Sequence, residues 1–139
     1  MVRRVQSLES SPKFSRCNLN ELFVCLQVRR CNDAGVRVYA DAVINHMTGK
    51  WSKAKGTGGS DFDSDTLNYP AVPYSRADFN GGKECLTKSG KIEDYRDVQQ
   101  VRNCKLTGLN DLKQGSTYVR GKIVEYLNKL VSYGVAGFR

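Results

Sequence analysis

The stretch DAVINH, residues 41 to 46, sets a carboxylate (Asp41), an amide (Asn45) and an imidazole (His46) close together on the chain. Those side-chain types serve proton transfer, oxygen ligation of a cation and hydrogen bonding to hydroxyl groups. A second candidate is Arg139, a permanent cation that follows the apolar run of SYGVAGFR. The same residues also have a plainer use. Asp41 can cap a turn, Asn45 can hold an Asx turn, His46 can be a satisfied polar residue and Arg139 can pair with some carboxylate. The choice depends on the elements that carry them.

From Asn18 to about Asn32 the apolar residues Leu19, Leu22, Phe23 and Leu26 recur at helical spacing, and Asn18 with Glu21 resembles a capping box. That predicts a helix, with Gly35 just past its end. VRVYADAVI, residues 36 to 44, alternates and is β-branched, as a strand does. Residues from about 47 to 115 are rich in Gly and Pro without a sustained helical period, too long for a connection and better read as an inserted, irregular, partly β subdomain. Val119, Ile123, Leu127, Leu130 and Val131 then form one stripe over residues 116 to 133, closed by Gly134 in the C′ position. A last strand follows at Val135 to Phe138. Two strands joined through a helix are expected to be parallel neighbours with a right-handed crossover, as in an α/β sheet or barrel. Asp41, Asn45 and His46 then lie at the C-terminal end of one strand and Arg139 at that end of the next, the face on which barrel enzymes build their sites.

Composition narrows the classes. The net charge is +8, but Lys and Arg are scattered in ones and twos, which describes a solvated basic surface and no nucleic-acid partner. No apolar run approaches the ~18 residues of a membrane span, so no membrane partner is expected. The basic start, Met1 to Arg4, is followed by polar QSLESSPKFSR rather than an apolar signal core, and no export signal is visible. The five cysteines include no Cys-x-x-Cys pair, which argues against structural zinc.

Several segments carry a specific resemblance. VRVYADAVINHM is similar to the first signature region of the α-amylase superfamily, with Asp41, Val43, Asn45 and His46 at the family's spacing. GLNDL, residues 108 to 112, is similar to the family's short region in its inserted domain, and GVAGFR, residues 134 to 139, to the strand leading to the catalytic nucleophile. YPAVPYSRADFN and DYRDVQQVRNCKLTGLNDL resemble animal-type α-amylases along their length. The resemblance runs from about Val28 to Arg139. It implies an α/β fold, a partial (β/α)8 TIM barrel from about the second helix to the start of the fourth strand, with an inserted irregular β-rich domain B. The segments would be a poorly matching 1–27, a helix end and third strand at 28–46, domain B at 47–114, and a helix with the start of the fourth strand at 115–139.

The resemblance also implies an activity, the retaining endo-hydrolysis of α-1,4-glucosidic bonds in starch and glycogen, with an α-glucan polysaccharide as substrate. Calcium would be held by the side-chain oxygen of Asn45, the backbone carbonyl of Arg102 and the carboxylate of Asp111, an all-oxygen set of the kind calcium takes, which a further carbonyl from a His beyond Arg139 would complete. His46 would hydrogen-bond a sugar hydroxyl, Asp41 would be a supporting carboxylate, and Arg139 would hold the nucleophile ionised and ligate chloride. Cys85 and Cys104 would form a disulfide, worth about 3 kcal/mol in chain entropy. Cys31 would be free, or paired with Cys17 or Cys25. The full-length protein would be secreted and monomeric. Retaining glycosidases need two carboxyl groups about 5 to 5.5 Å apart, and the resemblance places the nucleophilic Asp and the acid Glu beyond Arg139. The chain reads as an N-terminal to central fragment, inactive alone, and the alternative is a non-catalytic remnant that binds glucan or calcium.

Overall fold

The computed structural model describes residues 22–139. These fall into two compact units, one made of residues 22–42 with 126–139 and the other of Val43–Glu125.

In the first unit, α1 (Leu22–Asp33) buries Cys25 and Val28. Phe23, expected on the buried stripe, is 78% exposed. It stands two positions from Cys25, which at ~100° per residue carries it to the far side of the helix. The predicted capping box at Asn18 and Glu21 lies outside the described residues. The C-terminus of α1 follows the Schellman pattern: Gly35 N–H donates to Asn32 O and Val36 N–H to Cys31 O, with Gly35 at φ +76°. Helix α3 (Thr117–Ser132), whose last residues belong to this unit, ends the same way. Gly134 N–H donates to Val131 O and Val135 N–H to Leu130 O. Gly134 has φ +95°, and a Cβ there would stand 3.0 Å from Asn32 Nδ2, so the position favours glycine on two counts. Asn32 Nδ2 also donates to Gly134 O at 2.9 Å, tying the two helix ends together.

Both turns deliver the chain into one parallel strand pair. Strand β1 (Tyr39–Ala40) pairs with β4 (Gly137–Phe138), Tyr39 opposite Gly137 and Ala40 opposite Phe138. Gly137 admits the Tyr39 ring, since a Cβ there would lie 2.7 Å from Tyr39 Cε1. The strand expected over 36 to 44 is therefore much shorter as regular structure. Its hydrogen bonds to β4 run from Val38 O, which accepts from Ala136 N–H, to Ala42 N–H, which donates to Arg139 O. The alternation continues beyond the ladder, but the described residues offer Val43 and Ile44 no further strand partner.

The second unit has little regular structure and one apolar cluster. Strands β2 (Ala54–Lys55) and β3 (Asp61–Phe62) form a short antiparallel hairpin. Tyr69, Phe79, Leu112 and Val119 form the buried cluster, with Met47, Phe62, Leu67, Tyr74 and Ile123 packed against it. The rings of Phe62 and Tyr69 stack at 6.3 Å, and those of Tyr69 and Phe79 meet at 5.5 Å. Of the expected α3 stripe, Val119 is fully buried, whereas Val131 is 53% exposed. At ~100° per residue Val131 lies about 120° round the helix from Val119, at the margin of a stripe that Ile123, Leu127 and Leu130 keep narrower. Asp97 caps α2 (Val98–Asn103) by accepting from the N–H groups of Gln99 and Gln100. Just beyond α2, Cys104 is bonded to Cys85, with Cα atoms 4.9 Å apart.

Candidate functional site

The parallel register of β1 and β4 sets the residues after them side by side. Arg139 N–H donates to Ala40 O at 2.9 Å, and Arg139 Nη1 reaches Asp41 Oδ2 at 3.0 Å. The two side chains are 85% and 56% exposed. An ion pair so open to water contributes little to folding; its geometric effect is to hold a guanidinium and a carboxylate together at the strand ends. Sequence spacing placed both residues there, but gave no sign that they are each other's partner.

In the second unit a different set converges. Phe79 and Leu112 form an antiparallel bridge. On either side of it Asn80 N–H donates to Asp111 O and Lys113 N–H to Asp78 O, both at 2.7 Å. Leu112 N–H donates to Asn45 O at 2.9 Å, which brings the end of DAVINH against the same segment. The Asn80 side chain then donates twice, to Asp111 Oδ2 at 2.6 Å and to the Arg102 carbonyl at 3.1 Å. Asn45 Oδ1 accepts from Gln114 Nε2 at 3.0 Å. Asn45, Asn80, Arg102 and Asp111 all line one pocket of about 460 Å³, with Glu84 and Lys113, joined by a 2.7 Å ion pair, also on its wall.

Asp111 is 4% exposed and forms no ion pair among the described residues. Burial pushes its carboxyl above the ordinary carboxylate range, while hydrogen bonds to Asn80 and Asn45 act the other way. A buried carboxylate that shares its pocket with a backbone carbonyl and neutral amides is short of positive charge, and that is the chemistry a hard cation would complete. Among the described residues no group of three or more His, Cys, Asp or Glu side chains is placed to hold a metal ion. With Glu84 paired to Lys113, a cation here would rest on the Asp111 carboxylate and neutral oxygens, which fits calcium and does not fit zinc. Asn45, Arg102 and Asp111, named from the sequence, are thus brought to one pocket. Asn80 and Gln114, which join them, carry no signal in the sequence, since both are neutral amides without a charge or a spacing pattern.

His46 is half-buried, and its Nδ1 is buried without a hydrogen-bond partner. The Cys85–Cys104 disulfide expected from the resemblance is present. Cys31 is a free thiol, Cys25 is disulfide-bonded, and Cys17 lies outside the described residues. No helix among the described residues is long and apolar enough to cross a membrane.

No family model matches the chain. Individual proteins do. An α-amylase of Dermatophagoides pteronyssinus is 54% identical over 112 residues, 81% of this chain and 22% of that protein. The pancreatic α-amylase of Homo sapiens is 57% identical over 114 residues, again 81% of this chain and 22% of its own length. The chain thus spans about a fifth of the length of the curated relatives it matches. Among solved structures, the crystal structure of wild-type α-amylase I from Eisenia fetida superposes with a TM-score of 0.79 at 47% identity, over 86% of this chain and 24% of that one. A mutant of that enzyme in complex with maltohexaose superposes equally well. Over four-fifths of its length in sequence and slightly more in structure, the chain is thus similar to a segment of the animal-type α-amylases, which are glycosidases.

Proposed function

We propose that these 139 residues are a segment of an animal-type α-amylase that hydrolyses internal α-1,4-glucosidic bonds of starch and glycogen with retention. In this reading the segment runs from about the second barrel helix to the start of the fourth barrel strand, with residues 47–114 as domain B. It builds one wall of the cleft and the calcium site. The nucleophilic Asp and the acid Glu come from residues other than these.

The observation that carries the reading is the convergence of Asn45, Arg102 and Asp111 on one pocket, reached from three separate parts of the sequence. Asn45 Oδ1, the Arg102 carbonyl and the Asp111 carboxylate would hold calcium, whose charge ties those segments together. Arg139 holds the nucleophile ionised through its positive charge. Asp41 orients that guanidinium through their 3.0 Å contact. His46 hydrogen-bonds a sugar hydroxyl at the point of cleavage, and Arg139 serves as a ligand for chloride. The substrate is an α-glucan, by analogy with the maltohexaose bound to the Eisenia fetida mutant. The complete protein acts outside the cell as a monomer.

A transplant tests this. Residues 28–139 replace the matching segment of a complete related α-amylase, and starch hydrolysis is assayed with and without calcium. Calcium-dependent hydrolysis by the hybrid is expected, and none by the 139-residue chain alone. A hybrid that melts cooperatively but leaves starch intact overturns the assignment, and turnover by the chain alone overturns the division of catalytic groups.

A further inference from the structure

We infer that Asn80 is the positioning residue of the cation pocket, its amide holding the Arg102 carbonyl and the Asp111 carboxylate convergent. The inference rests on the calcium reading above and adds a residue to it.

Asn80 is 8% exposed, and both N–H bonds of its amide are committed, one to each oxygen. Its own position is fixed by the main chain. Asn80 N–H donates to Asp111 O, and the Phe79–Leu112 bridge and the Lys113 N–H bond to Asp78 O lie beside it. Arg102 is in the last turn of α2, where carbonyls lack an intrahelical partner. Asn80 captures that free carbonyl and aims it toward Asp111.

The arrangement leaves ligand capacity intact. A carbonyl oxygen has two lone pairs, and a carboxylate has a second oxygen. The bonds from Asn80 still leave a lone pair of Arg102 O, and the Asp111 carboxylate, with its bonds to Asn80 and Asn45, keeps further lone pairs to face a cation. A side chain that touches the ligands and not the ion acts by reducing the disorder that binding must remove. Losses of such supporting partners typically weaken metal affinity about 10- to 100-fold. Removing Asn80 also leaves a buried carboxylate oxygen with one fewer donor.

Calcium affinity of the 139-residue chain, measured by competition with a chromophoric chelator, tests the inference without any enzymatic assay. Asn80→Ala is expected to weaken calcium binding by about tenfold or more. Asn80→Ser, whose hydroxyl can donate to only one of the two oxygens, should fall between it and the wild type, and it decides the matter if Asn80→Ala does not fold. Ser75→Ala is the control: it removes the 2.9 Å bond from Ser75 Oγ to Asp78 Oδ2 in the same segment without touching either oxygen. It should lower the melting temperature but leave calcium affinity unchanged. Wild-type affinity in the Asn80 variants overturns the inference and leaves the calcium reading standing. Equal weakening by Ser75→Ala also overturns it, because the effect would then be general destabilisation. No calcium binding by the wild type overturns both.

Discussion

Arg139 and Asp41 meet at 3.0 Å past the ends of two parallel strands, and each is more than half exposed. The contact follows from register: once Ala40 stands opposite Phe138, the next residues of both strands are neighbours. Exposed ion pairs are worth roughly 0.2 to 1 kcal/mol. Asp41→Asn should accordingly change the unfolding free energy by no more than that, with most of the change gone at high salt. Urea titrations at low and high salt check it. A loss of several kcal/mol that persists in salt would show the pair to be structural.

Leu112 is 1% exposed and belongs with Phe79 and Val119 to the buried cluster, next in sequence to Asp111. Leu112→Ala should cost about 2 to 5 kcal/mol through lost transfer energy and the cavity left behind. It should also weaken calcium binding, because the cavity loosens the segment whose main-chain N–H, retained in alanine, is bonded to Asn45 O. A lowered urea midpoint with unchanged slope, together with reduced calcium affinity, is the expected result.

The Cys85–Cys104 bond joins residues 19 apart and anchors the chain just past α2. Replacing both cysteines with Ala should lower stability by about 3 kcal/mol. Alkylation without reductant should label Cys31, the free thiol, and neither Cys85 nor Cys104. Urea titration reads the first outcome and peptide mass mapping of the alkylated protein the second.

Backbone hydrogen bonding from Gln99, then the Gln100 side chain, holds the Asp97 carboxyl below its ordinary value of 3.8. The folded protein thus binds fewer protons at this site than the unfolded chain. The resulting stabilisation is full above the unfolded value and is lost as pH falls through the lowered folded one. Asp97→Asn keeps a capping oxygen but no charge, so its stability should fall less steeply in acid than the wild type's. Chemical denaturation from pH 5 downward tests the sign. Parallel curves would place the acid sensitivity elsewhere, with Glu84, lowered through its bond to Lys113, as the next carboxylate to test.

Much of this arrangement was legible in the sequence because it rests on local rules. The stripe from Val119 to Leu130 and the glycines at 35 and 134 mark helices and their ends wherever they occur, and the structure places the helix ends accordingly. Strand length was not legible. β-branched alternation over 36 to 44 is an intrinsic preference, whereas a ladder needs a neighbour, and β4 supplies one for only a few residues. The exposures of Phe23 and Val131 depend on which side of each helix is covered, a tertiary fact. Asn45, Arg102 and Asp111 were found through resemblance to a family; neither spacing nor charge would have joined a helix-end carbonyl to an amide so distant in sequence. Asn80 was invisible on both grounds, since its role depends on two hydrogen bonds that only the folded chain makes.

Calcium-dependent melting of the 139-residue chain and of its Asp111→Asn variant tests the central claim most directly. If Asp111 supplies the only carboxylate of an oxygen site shared with Asn45 and Arg102, the wild type should melt at a higher temperature as calcium is added and bind one ion per chain. Asp111→Asn, nearly equal in shape but neutral, should melt at the same temperature with and without calcium. A wild type indifferent to calcium, or a variant that responds as the wild type does, would contradict the account.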